Sequence, residues 1–131
     1  MQTTLARAAA TYQNVQVTSR SPLELVVLLY DGALAALEQA RSALARGDLV
    51  TKGEALSRAL AIIVHLQGTL NMEAGGEVAV RLDALYDHVV ERVTAANVQR
   101  DIHPLDDAIR ALSTVRDAWD EIASPRRDIA V

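Results

Sequence analysis

The sequence contains no cysteine and no phenylalanine, and it has a single tryptophan. Without cysteine the chain can form neither a disulfide nor a thiolate metal site, which suits a reducing compartment. Without phenylalanine its core must be built from Ala, Val, Leu and Ile, since apolar residues make up 50% of the 131 residues. Alanine and leucine are good helix formers, so the composition indicates one domain of closely packed helices.

Basic runs and long apolar runs are also missing. Thirteen Lys and Arg stand against 17 Asp and Glu, a formal net charge of −4, which makes the chain a poor candidate for binding nucleic acid. Residues 1–16 have no apolar region of the kind found in signal peptides, and the apolar run Leu25–Tyr30 is far too short to span a bilayer. We therefore expect a cytoplasmic protein that does not insert into membranes.

Four helices are predicted by the spacing of the apolar residues. The first opens at Ser21-Pro22-Leu23-Glu24, a capping box with proline at the first helical position. Turns at Gly47-Asp48, at Gly75-Gly76 and at 97–101 separate the helices, and the fourth ends before Ser124-Pro125. Short connections force neighbouring helices to run antiparallel. The predicted fold is therefore all-α, an antiparallel up-down-up-down four-helix bundle with a short, loosely packed N-terminal segment.

The predicted organisation has three parts. Residues 1–20 form an N-terminal flap, a short helix followed by an extended segment. Residues 21–123 form the four-helix bundle, and residues 124–131 form a mobile tail. Only the middle part has the apolar periodicity of packed helices.

Motifs of catalysis and of metal binding are absent from the sequence. None of the three histidines has a glutamate three residues before it, and there is no HExxH zinc motif and no GxSxG elbow. We therefore predict no enzymatic activity and no cofactor. The run His65-Leu66-Gln67-Gly68 resembles that of histidine phosphotransfer bundles, but it is one residue short and lacks the lysine. A phosphotransfer module thus stays a minor alternative.

Two helices carry more apolar sequence than one core-facing stripe needs. Leu25–Tyr30 and Ala59–Val64 are unbroken apolar runs that go right round a helix. Three interpretations are open: deeply buried helices, a homodimer interface, or a groove for a partner's helical or extended segment. Val15 and Val17 project from the same side of an extended chain, and Tyr12 adds a large ring. We expect residues 1–20 to cover the groove when no partner is bound.

Several motifs occur together in a characteristic order. They are Tyr12-Gln13, Ser21-Pro22, LYDG at 29–32, LNMEAGGE at 70–77, LYD at 85–87, Ala96-Asn97 and Ala118-Trp119. With these motifs, the chain from about Tyr12 to Ile122 is similar to the FliS family of flagellar secretion chaperones.

The resemblance implies a cytoplasmic helical bundle without enzymatic activity. It also implies a protein that binds the disordered C-terminal segment of newly made flagellin, keeps it from polymerising, and presents it to the flagellar type III export apparatus.

The resemblance also implies a set of partner-binding residues along apolar grooves. Carried onto matching positions, they are Tyr12, Leu29, Tyr30, Leu66, Leu70, Asn71, Met72, Leu85 and Tyr86, to which the residue pattern adds Val15 and Val17. Leu29, Leu66 and Leu85 can equally be core residues. Asn71 either bonds the backbone of a partner or caps the end of a helix.

Overall fold

Four α-helices make up the part of the chain that the computed structural model describes, residues 21–123. They are α1 (Pro22–Ala45), α2 (Leu49–Gly68), α3 (Met72–Gln99) and α4 (His103–Ala123). Each helix packs against its neighbours in the sequence, and α4 also packs against α1, which closes the bundle. The predicted all-α four-helix bundle is therefore confirmed. The predicted N-terminal flap and C-terminal tail lie outside the described residues.

Polar pairs fix the antiparallel register of α1 and α4. The Nε of Arg116 donates to Oδ1 of Asp31 at 2.8 Å, and the Nε of Arg41 donates to Oδ1 of Asp106 at 2.5 Å. The pairs join an early residue of one helix to a late residue of the other, as antiparallel packing requires. The contact with Arg41 lowers the pKa of the Asp106 carboxyl, because it stabilises the charged form.

The predicted caps are present at the first two helix starts. Ser21 Oγ accepts from the Glu24 N–H at 3.2 Å, and Glu24 Oε1 accepts from the Ser21 N–H at 2.8 Å. Gly47 takes the left-handed conformation at φ 75°, and Oδ1 of Asp48 accepts from the Thr51 N–H at 3.1 Å. These contacts satisfy backbone donors that have no partner inside the helix, and so they fix where α1 and α2 begin.

The third helix begins earlier than the sequence suggests. The sequence predicts a turn at Gly75-Gly76 between the second and third helices, but α2 ends at Gly68 and α3 starts at Met72. Asn71 is the N-cap of α3 and its Oδ1 accepts from the Ala74 N–H at 2.9 Å. Asn71 is therefore a helix cap, as one of the two alternatives expected. It caps the start of α3, however, and not the end of the second helix. An asparagine suits either end, so the sequence does not decide between them.

The two unbroken apolar runs are covered to different extents. In the first, Leu25, Val27 and Tyr30 are buried and the other three residues are half-buried. In the second, Ala59 and Ile63 are buried, whereas Val64 is 55% exposed. The first run is thus largely a core segment, in line with the interpretation that these are deeply buried helices. None of the four described helices is both long and apolar enough to cross a membrane.

Gly32 lies on the exposed side of α1, next to α2. A Cβ built at this position would lie 3.5 Å from Cδ1 of Ile62, which is an ordinary van der Waals distance. The neighbour is therefore a side chain rather than a closely passing backbone, and there is space for a methyl group.

Replacing Gly32 by Ala is expected to raise the free energy of unfolding by about 0.5–1 kcal/mol, because glycine is a weak helix former. Urea denaturation followed by circular dichroism measures the change. A loss of stability would mean that a close contact at this position excludes the methyl group.

Candidate functional site

The candidate site lies at the end of the bundle where α1 begins and α4 ends. Antiparallel packing brings the start of α1, the end of α2, the start of α3 and the end of α4 together there. We call residues 21–31, 62–87 and 113–123 the open half, and residues 32–61 and 88–112 the closed half. The Tyr30–Tyr86 contact and the Asp31–Arg116 pair lie near the boundary between them.

Coverage by neighbouring helices is incomplete in the open half, on the side of α3 and α4. The buried residues of α4 are Pro104, Leu105, Ala108 and Leu112, and none of the residues from Ser113 to Ala123 is buried. In α3, Ala79 is the one buried residue ahead of Tyr86. The apolar residues of these two segments therefore keep part of their surface in contact with water.

A stripe of apolar side chains follows this incompletely covered side. Val78, Leu82 and Leu85 have the i, i+4, i+7 spacing of one helix face, and Val115, Trp119 and Ile122 repeat it on α4. Leu82, Leu85, Val115 and Trp119 pack on the core with part of their surface free. The outer members remain exposed, Val78 by 61% and Ile122 by 58%. We call these six residues the α3–α4 stripe.

The register of α3 and α4 places the two halves of the stripe opposite each other. Nη1 of Arg92 and Oδ2 of Asp107 lie 3.3 Å apart, so antiparallel packing sets Leu85 near Val115 and Val78 near Ile122. The stripe therefore runs toward the end of the bundle and becomes more exposed along the way. Such a surface can take up a helix or an extended segment with apolar residues on one side.

A contact between two buried tyrosines lies in the core, near the boundary between the open half and the closed half. The hydroxyls of Tyr30 and Tyr86 are 2.5 Å apart, and the two ring centroids are 6.3 Å apart. Burial raises the pKa of both phenols, so both are protonated at neutral pH and one donates to the other. The Nε1 of Trp119 is also buried and donates no hydrogen bond to any described residue. Three motifs that carry the family resemblance thus meet at one place in the core.

The predicted site residues separate into buried, half-buried and exposed sets. Tyr30, Leu66 and Tyr86 are buried in the core, where each fills space between helices, and their role at or near a groove stays a prediction. Leu29, Leu70 and Leu85 are half-buried, while Asn71 and Met72 are exposed. Tyr12, Val15 and Val17 lie outside the described residues. All the described members fall in the open half, and a binding role for the accessible ones stays a prediction.

Part of the α3–α4 stripe was not among the predicted site residues. Five of its residues have the helical spacing that is typical of the core-facing side of a helix: Val78, Leu82, Val115, Trp119 and Ile122. That spacing identifies the inward side of a helix, but it does not show where the neighbouring helices leave it uncovered.

The start of α3 is a short hook that stands out from the bundle. Residues Met72 to Gly75 make one helical turn, and Gly76 then leaves helical geometry at φ 53° and ψ −129°. All residues from Asn71 to Val78 are exposed. The backbone at Gly76 is one that a residue with a Cβ adopts only under strain.

Replacing Gly76 by Ala is expected to lower the free energy of unfolding by about 1–3 kcal/mol, or to straighten the hook into a continuous helix. Urea denaturation measures the first outcome, and the amide chemical shifts of residues 71–78 report the second. Gly53→Ala in the middle of α2 is the control, because no described atom within 4 Å opposes a Cβ there and its φ is not positive. Equal behaviour of the two variants would contradict the strain at Gly76.

Groups that could hold a metal ion are not assembled at this end. Within residues 21–123, no three His, Asp or Glu side chains come together as candidate ligands. The chemistry available at the open half is that of apolar contact, hydrogen bonding and charge.

Comparison with known proteins gives one consistent result. Residues 5–126 match the family model described as "Flagellar protein FliS". The chain is 43% identical over 108 residues to the flagellar secretion chaperone FliS of Salmonella typhimurium, which covers 82% of this chain and 80% of that protein. It is 41% identical over 107 residues to FliS of Vibrio cholerae, covering 82% and 79%. It is 37% identical over 121 residues to FliSB of Pseudomonas aeruginosa, covering 89% and 96%.

Proposed function

The chain belongs to the FliS family of flagellar secretion chaperones, and from that premise we propose that it binds the disordered C-terminal segment of flagellin. Binding keeps flagellin from polymerising in the cytoplasm before export, because the same segment is needed for packing in the filament. The bound pair is then delivered to the flagellar export apparatus. The role is that of a chaperone and not of an enzyme.

The single observation that carries this proposal is the incomplete cover of the open half. Burial of apolar surface yields about 25 cal/mol per Å², so the α3–α4 stripe gains stability when a partner covers it. A disordered client supplies that cover because it has no packed core of its own. Leu70 and Met72 extend the accessible apolar surface toward the hook, and the exposed amide of Asn71 can bond a partner's backbone.

The proposed affinity is moderate, since the client must order on binding. A wrapped segment can bury on the order of 2,000 Å², while its ordering opposes binding by roughly 2–5 kcal/mol. The difference leaves a complex that is specific and yet releases its client. Release is required, because the client must leave the chaperone for export.

Residues 1–20 have a proposed role in the free chaperone. The first described residue, Ser21, lies in the open half. We propose that Tyr12, Val15 and Val17 lie over apolar surface until the client displaces them. This covering would limit self-association of the free chaperone.

Calorimetric titration tests the proposed function. The C-terminal segment of flagellin from the same organism is added to the full chain, and a segment of equal length from the middle of flagellin serves as the control. We expect saturable binding of the C-terminal segment with a negative heat-capacity change, which is the mark of apolar burial. Equal binding of both segments, or of neither, would refute the proposal.

A further inference from the structure

Charge is distributed unequally between the two halves of the bundle. The open half contains nine carboxylates and two guanidinium groups, whereas the closed half contains seven charged groups of each sign. The carboxylates of the open half are Glu24, Asp31, Glu73, Glu77, Asp83, Asp87, Asp117, Asp120 and Glu121, and its cations are Arg81 and Arg116. All the net negative charge of residues 21–123 therefore lies in the half that holds the α3–α4 stripe.

The two cations of the open half are already engaged. Arg116 lies 2.8 Å from Asp31, 3.4 Å from Asp117 and 3.7 Å from Asp120, and it is therefore shared by three carboxylates. Arg81 pairs with Glu77 one helical turn before it, at 2.7 Å. No basic side chain of the open half is left to neutralise its remaining acidic groups.

Five carboxylates of the open half have no ion-pair partner among residues 21–123: Glu24, Glu73, Asp83, Asp87 and Glu121. Asp83 and Asp87 both accept from the neutral amide of Gln67, at 2.9 Å and 2.7 Å, and no basic side chain among residues 21–123 pairs with either of them. Glu73 and Glu121 are exposed, on the hook and on the last turn of α4. Glu121 directly precedes Ile122 in the chain, and Glu73 lies on the hook that precedes Val78.

We infer that the segment held by the open half is an amphipathic stretch that carries Lys or Arg beside its apolar residues. The apolar side chains cover the α3–α4 stripe, and the cations approach the carboxylates around it. This inference rests on the proposed function and adds the chemistry by which the site selects its client. A neutral or acidic segment of equal apolarity would leave the excess negative charge in place or increase it.

A second copy of the chain is a poor occupant of the same surface. Pairing two open halves would bring together two surfaces that each carry nine carboxylates and two guanidinium groups within residues 21–123, and like charges repel. The charge distribution thus argues against the homodimer interpretation for this surface and in favour of a cationic partner.

Exposed charge pairs contribute modestly to affinity and strongly to encounter rates. One such pair contributes about 0.2–1 kcal/mol, and screening acts over about 8 Å at physiological ionic strength. We therefore expect binding to weaken as salt increases, mainly through a slower association rate. Purely apolar docking would have little dependence on salt.

The test uses the full chain and two versions of the flagellin C-terminal segment, one native and one with every Lys and Arg replaced by Gln. The native version is expected to bind about threefold to tenfold more tightly at low salt, with the difference shrinking as salt rises. Equal affinity of both versions at all salt concentrations would overturn the inference while leaving the proposed function standing. Absence of binding by the native version would instead refute the proposed function.

Variants of the chaperone that lack selected carboxylates show which half of the bundle attracts the cations of the client. The double variant E73Q/E121Q removes two exposed carboxylates from the open half, and E38Q/E54Q removes two exposed carboxylates from the closed half. We expect the first to weaken binding of the native segment about twofold to fivefold and to lower its salt dependence. The second should change neither. An equal effect of both variants would show that only the total charge matters and would overturn the inference.

Discussion

Replacing Tyr30 by Asp is expected to unfold the bundle. Tyr30 is 0% exposed and sits among α1, α3 and α4 against Tyr86 and the Trp119 ring. The substitution removes a large buried ring and places a carboxylate in the core, which together cost more than about 4 kcal/mol. A domain of this size has a stability of about 5–15 kcal/mol. Circular dichroism during urea denaturation should show a large loss of cooperative unfolding.

Milder substitutions of Tyr30 and Tyr86 distinguish the contribution of ring packing to stability from that of the hydrogen bond between the two hydroxyls. Tyr30→Phe and Tyr86→Phe each leave one buried hydroxyl without a partner, and each should cost about 1–2 kcal/mol. The double variant removes both hydroxyls, so it should be less destabilising than the sum of the single variants. If the destabilisation of the double variant equalled the sum of those of the single variants, or if Tyr30→Asp were stable, the hydroxyl pair would not be a buried contact. Loss of flagellin binding in Tyr30→Asp says nothing about a groove, because the fold itself is lost.

The largest expected effect on binding comes from the exposed end of the α3–α4 stripe. Changing Val78 and Ile122 together to Gln replaces two exposed apolar side chains with neutral polar ones and leaves the core untouched. If a client covers both, the loss of apolar burial costs about 2–4 kcal/mol. We therefore expect flagellin binding to weaken at least tenfold, measured by calorimetry, with an unchanged unfolding midpoint.

The closed half offers a matched control for this experiment. Val50 and Val98 are 74% and 76% exposed and lie near the opposite end of the bundle. The variant V50Q/V98Q makes the same chemical change, and its affinity for flagellin should equal that of the unchanged protein. If it weakens binding as much as V78Q/I122Q does, the open half is not the site.

Local sequence signals were sufficient for most of the fold. The capping box at Ser21, the left-handed Gly47 and the N-cap at Asp48 act within one helical turn, and each is found where its residue type predicts. Asn71 is the exception. Its neighbours allow both a helix end and a helix start, and in the structure it is the N-cap of α3, with its Oδ1 accepting from the Ala74 N–H.

The site was predicted less well for a physical reason. Apolar periodicity identifies the inward side of a helix, but burial depends on how far its neighbours extend beside it. The run Leu25–Tyr30 looked too apolar for one core and proved to be buried or half-buried. The helical spacing at Val78 and Ile122 looked ordinary, yet these residues are exposed because no helix within residues 21–123 covers α3 and α4 there. The aromatic residues of the family motifs likewise proved to be core residues, which the motifs alone do not reveal.

The electrostatic asymmetry is readable from the sequence only once the register is known. Glu73 and Glu121 are far apart in the chain, and antiparallel packing of α3 and α4 brings them to one end. A net charge of −4 gives no sign of this, because it does not show that the closed half is neutral and that basic residues outside 21–123 offset part of the open half's excess.

Amide hydrogen exchange of the full chain, with and without the flagellin C-terminal segment, tests most directly whether the client covers the open half. Slower exchange on binding should be concentrated in residues 72–87 and 113–123, where few side chains are buried in the free bundle. The corresponding stretches of the closed half should exchange as before. Protection confined to the closed half, with the start of α3 and the end of α4 unchanged, would contradict the account.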